Sequence, residues 1–308
     1  MIGSRKSGKT KSVLNHASVL ALAMMASSCA STSIGEDGVV VPEPASVIGA
    51  PGERVLVPAK ADPMQADAIY ADAAKGFSTY DWTVSSYLPT GNVQHVAWSK
   101  SHVALGDTHL SLMITAPQVR GQRFGSGEIQ TLEALGYGSY EGVLRPAAGS
   151  GLLSSFYARS EGDDFGGPNE FGFAFQGKDP SVAHIRLVVD GNVLVQERVD
   201  LGFDASEAFE IYTMTWTPTS LSWLIGGQEV YRIDRTLAAL PDKPGKIFAN
   251  IWTGTPSQVQ WIGRPRFSSG ASLDIACVAY RPIDETSRGC RAPIETPRAM
   301  ADVMVAGG

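Results

Sequence analysis

The chain is poor in cysteine, with three among 308 residues. That is too few for a disulfide scaffold standing in for a core. It has no run of positive charge after its first dozen residues, and its formal net charge is −6. The electrostatic footprint of a phosphate-backbone binder is therefore missing, and no nucleic-acid partner is expected. Five histidines are scattered without ligand spacing, so no zinc motif is present. No G-x-S-x-G, Walker or dinucleotide glycine pattern stands out, so no cofactor is expected. Long amphipathic helical patterns are missing too. What the chain does have is 44 % hydrophobic residues with 18 % charged ones, the balance of a folded globular protein. It also has 33 Gly and 18 Pro without collagen-like periodicity, which implies many turns between short strands.

The N-terminus reads as an address. Arg5, Lys6, Lys9 and Lys11 precede an apolar stretch from Val19 to Ala26, and no acidic residue appears before Glu36. The stretch is too short to span a bilayer stably, so residues 1–29 are expected to be a signal peptide. Ala26-Ser27-Ser28-Cys29 resembles a bacterial lipobox, with Ala26 where leucine is usual. Two outcomes stay open: lipidation of Cys29, giving an outer-membrane lipoprotein, or ordinary cleavage nearby, for instance after Ala30, giving a periplasmic protein. Both mean export. With Cys29 lipidated, Cys277 and Cys290 remain as an even pair in an oxidising compartment, either bonded or as two free thiols. Residues 30–76, rich in Ala, Pro, Gly and Val, read as a low-order linker, and residues 283–308 as a C-terminal tail.

Between them, residues 77–282 carry short alternating runs broken by turn residues. His109-Leu110-Ser111-Leu112-Met113-Ile114 alternates, and Phe171-Gly172-Phe173-Ala174-Phe175 places three phenylalanines on one face. Asp190-Gly191 and Gly226-Gly227 each sit between two such runs, as hairpin turns do. Regularly spaced strands over this length predict an all-β sandwich or barrel.

Several blocks, in order, resemble the lichenase-type branch of glycoside hydrolase family 16. They are Leu135-Gly136-Tyr137-Gly138-Ser139-Tyr140-Glu141-Gly142, Gly151-Leu152-Leu153-Ser154-Ser155-Phe156, Leu201-Gly202-Phe203-Asp204-Ala205-Ser206, Trp216-Thr217-Pro218, Pro244-Gly245-Lys246-Ile247 and Asn250-Ile251-Trp252-Thr253-Gly254. The resemblance implies a concanavalin A-like jelly-roll β-sandwich and a β-glucan or exopolysaccharide as partner. By the same resemblance Asn92, Glu128, Tyr137, Asn250 and Trp252 are candidate sugar-binding residues, and His184 falls where the family places substrate-facing polar residues. Some members bind calcium on their convex side, but the contributing Asp is Ala276 here, so the resemblance implies no metal.

One strand departs from the family. Members carry Asp-Glu-Ile-Asp-Ile-Glu-Phe followed by Leu-Gly-Lys-Asp, and here the segment reads Asn169-Glu170-Phe171-Gly172-Phe173-Ala174-Phe175-Gln176-Gly177-Lys178-Asp179. The shared Gly-Lys-Asp sets the register. Glu170 then stands at the nucleophile position, Gly172 replaces the middle Asp, and Ala174 replaces the acid/base Glu. Retaining glycosidases need two carboxyl groups about 5–5.5 Å apart. Residues i, i+2 and i+4 share one strand face, so the cleft face is stripped while the phenylalanines keep the core face. The leading expectation is an exported glycan-binding protein with lost or strongly reduced hydrolase activity. The runner-up is an active hydrolase or transglycosylase using Glu170 and a relocated acid/base, drawn from Glu161, Asp163, Asp164 or His184. It requires that group about 5–6 Å from an open Glu170, and it fails if Glu170 is buried under side chains. A third reading is a structural envelope protein, for which a cleft filled by Arg186 and apolar side chains would be the sign.

Overall fold

A computed structural model describes residues 70–72, 81–89, 95–116, 123–162, 166–267, 270–283, 285–286 and 289–290. The predicted signal peptide, Cys29, Asn92, Asp163, Asp164 and most of the predicted linker and tail lie outside the described residues. The first strands are β1 (Tyr70–Asp72), β2 (Trp82–Val84), β3 (Val96–Trp98), β4 (Val103–Leu105), β5 (Leu110–Thr115) and β6 (Phe124–Ser126). Next come β7 (Glu128–Thr131), β8 (Gly138–Arg145), β9 (Leu153–Arg159), β10 (Glu170–Gln176), β11 (Val182–Val189) and β12 (Asn192–Asp200). The chain continues through β13 (Glu210–Trp216), β14 (Ser220–Ile225), β15 (Gln228–Asp234) and β16 (Lys246–Trp252) to β17 (Ala271–Pro282), with one short helix, α1 (Val259–Ile262), before the last strand.

Among the described residues these strands form two sheets. The first runs β15-β14-β13-β8-β17-β5-β6-β3, with β1 on β17 and β4 on β5, and the second runs β12-β11-β10-β9-β16-β7-β2. Neighbours are antiparallel except β3 and β6. The jelly-roll sandwich is thus the architecture of the chain.

Period-2 patterning explains the layering. On β5, Leu110, Leu112 and Ile114 are buried while the intervening residues are partly exposed. On β10 the three phenylalanines face the other sheet: Phe171 meets Tyr140 and Trp216, and Phe173 and Phe175 both meet the Tyr212 ring edge-on. Edge-to-face ring contacts of this kind add to the stabilisation from area burial alone. Trp216 and Trp223 are buried in this layer, and the Trp223 Nε1–H donates across it to the Gly172 carbonyl at 3.2 Å. The β11–β12 hairpin closes through Asp190 (φ 49°) and Gly191 (φ 78°), the two left-handed positions that a tight turn between twisted strands requires.

Two structured pieces fall in segments read from sequence as linker and tail. Tyr70–Asp72 pairs with Cys277–Ala279 on β17, extending that sheet. Three residues are too few for alternation to show in a sequence. Cys290 forms a disulfide with Cys277, their Cα atoms 5.9 Å apart. The Cys290 N–H also donates to Glu141 Oε2 at 2.8 Å, so the start of the predicted tail is held against β8.

Candidate functional site

The face of the second sheet turned away from the core is organised by strand register into three transverse rows. One row reads Arg198, His184, Ala174, Ser155, Asn250, Glu128 across β12, β11, β10, β9, β16 and β7. The next reads Gln196, Arg186, Gly172, Tyr157, Phe248, Gln130. The third contains Val188, Glu170, Arg159 and Lys246. Glu128, Asn250, His184 and Glu170 are therefore brought onto one surface from four strands, β7, β16, β11 and β10.

Glu170 is buried, with 1 % of its surface exposed. Arg159 Nη1 donates to its Oε2 at 2.8 Å, and Arg186 Nε donates to its Oε1 at 3.2 Å. Both carboxylate oxygens are thus held by guanidinium groups that are themselves nearly buried. Such charge-assisted contacts are among the stronger hydrogen bonds in proteins, and here they fix the carboxylate in place. A Cβ built on Gly172 would lie 2.3 Å from Tyr157 Cβ and 2.6 Å from the Phe156 carbonyl oxygen. Only glycine lets β9 and β10 approach this closely. The Tyr157 ring beside it stacks on Phe248, with centroids 5.1 Å apart and planes 9° from parallel.

At the Ala174 row the surface becomes polar. Ser85 and Tyr87 hydroxyls donate to Glu128 Oε1 at 2.7 and 2.9 Å, and Asn250 Nδ2 donates to Oε2 at 2.8 Å and to the Tyr157 hydroxyl at 3.3 Å. Burial pushes the Glu128 carboxyl above its ordinary range, and the Asn250, Ser85 and Tyr87 hydrogen bonds only partly oppose it. Asn250 Oδ1, Ser155 Oγ and Trp252 Nε1 are buried without a hydrogen-bond partner. Buried polar atoms are usually paired, so this group is unusual.

The raised Glu128 pKa has a pH consequence with a definite sign. Its stabilising contribution is fully present below the unfolded-state pKa and is lost as pH rises through the folded-state value. Glu128→Gln removes that penalty, and turning the Asn250 amide lets its orphaned Oδ1 accept from the new amide group. In denaturant melts from pH 4 to 8, the variant is expected to gain on the wild type as pH rises from the unfolded-state pKa through the folded-state one. A difference independent of pH would show that Glu128 is not the group responsible.

Other sequence candidates fall differently. His184 stands directly across from Ala174, its ring edge-on to Trp261 with centroids 6.2 Å apart. Burial, reinforced by Arg198, lowers its pKa from 6.5, so it is neutral near pH 7 and not a cationic proton donor. In register it is four residues along β10 from Glu170, with Arg186 in the row between. Glu161 is exposed. Trp252 is fully buried and offers no open stacking face. Tyr137 corrects an expectation: it does not line this surface. Its ring packs edge-on against Trp216, centroids 4.5 Å apart, and its carbonyl accepts from the Tyr280 hydroxyl. It precedes β8, whose sheet is the other one, so its apolar body joins the inter-sheet core.

Tyr157, Arg159, Phe248 and Lys246 were not singled out from sequence. Period 2 would have put Tyr157 and Arg159 on the face of Ser155, but not revealed which side chain Arg159 reaches. Among the described residues, no three His, Cys, Asp or Glu side chains gather into a group that could hold a metal.

The comparisons with known proteins agree with this architecture. The profile of glycosyl hydrolases family 16 matches residues 90–266. A beta-glucanase of Bacillus subtilis is 30 % identical over 202 residues, covering 65 % of this chain and 80 % of the relative. The endo-1,3-1,4-beta-glycanase ExoK of Rhizobium meliloti is 30 % identical over 207 residues, covering 66 % and 76 %. The crystal structure of a prokaryotic beta-1,3-1,4-glucanase (lichenase) from a mouse hindgut metagenome superposes with a TM-score of 0.63 at 28 % identity, covering 70 % of this chain and 99 % of that one. With the family profile matched over more than half its length and the sandwich in place, this chain belongs to glycosyl hydrolase family 16.

Proposed function

We propose that this chain is an exported family 16 protein that binds a β-linked glucan or exopolysaccharide without hydrolysing it. The observation that carries the reading is the double guanidinium clamp on a buried Glu170, two strand positions from Gly172 and four from Ala174. A glycosidic displacement needs a carboxylate lone pair facing the anomeric carbon and an acid about 5–5.5 Å away to protonate the leaving oxygen. Here both oxygens are engaged, and the position that the family resemblance gives to the acid is an alanine. General acid–base catalysis contributes about 10²–10⁴-fold, so its loss alone is severe. These contacts count against the active-enzyme alternative, which required an open Glu170.

Binding is supported by the polar row beside Ala174. Asn250 Oδ1 can accept, and Ser155 Oγ can accept or donate, which suits a hydroxyl entering beside Ala174. The beta-glucanase and endo-1,3-1,4-beta-glycanase relatives make mixed-linkage glucan the first polymer to test. Export, with lipid attachment at Cys29 as one form of it, is supported by the charged and apolar order of the N-terminus. In affinity electrophoresis through gels containing mixed-linkage glucan, laminarin, agarose or the host's exopolysaccharide, at least one polymer should retard the protein. Asn250→Ala should weaken that retardation. Retardation by none of the four sinks the binding reading.

That result would favour an envelope assembly role, which one observation already supports. The edge strand β12 is exposed along most of its length, with Val193 and Leu194 46 % and 42 % exposed. Exposed apolar edges are surfaces on which protein partners pair.

A further inference from the structure

The third row across the sheet is crowded with positive charge. Arg159 and Lys246 are directly opposite each other on β9 and β16, and the alternation that puts Tyr157 and Phe248 on this face puts these two on it as well. Like charges directly opposite on neighbouring strands repel. Glu170 offsets this only in part, because its two oxygens are already divided between Arg159 and Arg186. Among the described residues Lys246 has no carboxylate within ion-pairing distance. Asp190 is held by Lys243 at 3.5 Å, and Asp242 by the Asn169 amide at 3.4 Å. The Arg159 side chain is 13 % exposed and Lys246 is half-buried, whereas Glu170 is 1 % exposed. The sheet face that the family resemblance equips with three carboxylates therefore carries Arg159, Arg186 and Lys246 in the two adjacent register rows that hold Gly172 and Glu170.

We infer that the polymer bound here is acidic, and that Arg159 and Lys246 together receive one of its carboxylates. The inference rests on the glycan-binding reading above and narrows it to a substrate class. A sugar carboxylate between the two cations would relieve their repulsion. It would accept from the forked guanidinium on one side and the compact ammonium on the other. Neutral glucans give this row nothing it needs.

The test changes only the charge of the ligand. Mixed-linkage β-glucan is compared with the same polymer after oxidation of its C6 alcohols to carboxylates, each titrated against the purified full chain at low salt. The oxidised polymer is expected to bind about tenfold tighter or more, the scale of one charge-assisted hydrogen bond. Salt at about 0.5 M should remove most of that advantage. Lys246→Glu should abolish the preference and Lys246→Gln should reduce it, neither with a lower melting temperature, since among the described residues Lys246 makes no ion pair to lose and either change relieves its repulsion with Arg159. Equal binding of the two polymers overturns the inference while leaving the glycan-binding reading standing. A preference that survives Lys246→Glu also overturns it. Binding of neither polymer overturns the inference and counts against glycan binding as well.

Discussion

Replacing Glu170 by alanine is expected to destabilise the fold by about 3–5 kcal/mol, the usual cost of leaving a buried charge without its partner. Two guanidinium groups, with side chains 13 % and 9 % exposed, lose the carboxylate that compensates them. For a domain of this size the melting temperature should fall by roughly 6–20 °C. An exposed nucleophile behaves in the opposite way, because active-site carboxylates are often held at a cost to stability and their removal is neutral or stabilising. A thermal melt of Glu170→Ala thus separates a structural ion-pair centre from a working nucleophile. A variant that melts within about 1 °C of the wild type would remove the clamp from the account. The result also bears on controls, since lost binding or activity in this variant has to be read beside its folded fraction.

Restoring the family's middle carboxylate should fail for steric reasons. Gly172→Asp places a Cβ 2.3 Å from Tyr157 Cβ, 2.6 Å from the Phe156 carbonyl oxygen and 2.7 Å from Tyr157 Cα. Two of these three neighbours are backbone atoms, and the Cβ is fixed to its own backbone, so no rotamer change relieves the overlap. The strands must separate. Overpacking typically costs about 1–3 kcal/mol, and a contact against backbone belongs at or above the top of that range. Gly172→Ala, which adds the Cβ alone, should show most of the loss and so separate sterics from charge. The combined Gly172→Asp, Ala174→Glu variant is expected to be less stable than Ala174→Glu alone and to gain no hydrolysis. If Gly172→Ala is as stable as wild type, the close approach of β9 and β10 is not a constraint. Loss of the catalytic pattern would then be a matter of two substitutions and not of a reshaped sheet.

The comparison of sequence with structure separates local from non-local information. The alternation of Phe171, Phe173 and Phe175, the β11–β12 hairpin and the hairpin at Gly226-Gly227 could be read because period 2 and left-handed turn residues are local properties. The faces of β10 could be read for the same reason. The closure of the site could not. Arg159 and Arg186 lie 11 and 16 residues from Glu170, and only the β9–β10–β11 register brings all three together. The pinching of β9 against β10 at Gly172 is likewise a backbone distance with no sequence signature beyond the glycine itself. Tyr137 was misplaced because the motif that contains it ends in a strand, while Tyr137 precedes that strand and is turned by Trp216. The complete burial of Trp252, a candidate sugar-binding residue by resemblance, follows from packing that spacing does not encode.

The absence of glycosidic cleavage at this sheet face is the property on which the binding role depends. It is tested most directly by sensitive detection of released reducing ends and of transfer products. The folded wild-type protein is incubated for an extended time with mixed-linkage glucan, laminarin, agarose and the host's own exopolysaccharide. No product above the no-enzyme background is expected on any of the four. Product formation that requires Glu170, in a variant shown to be folded, would contradict it: the clamp would have to open, and a proton donor outside Ala174 would have to be found.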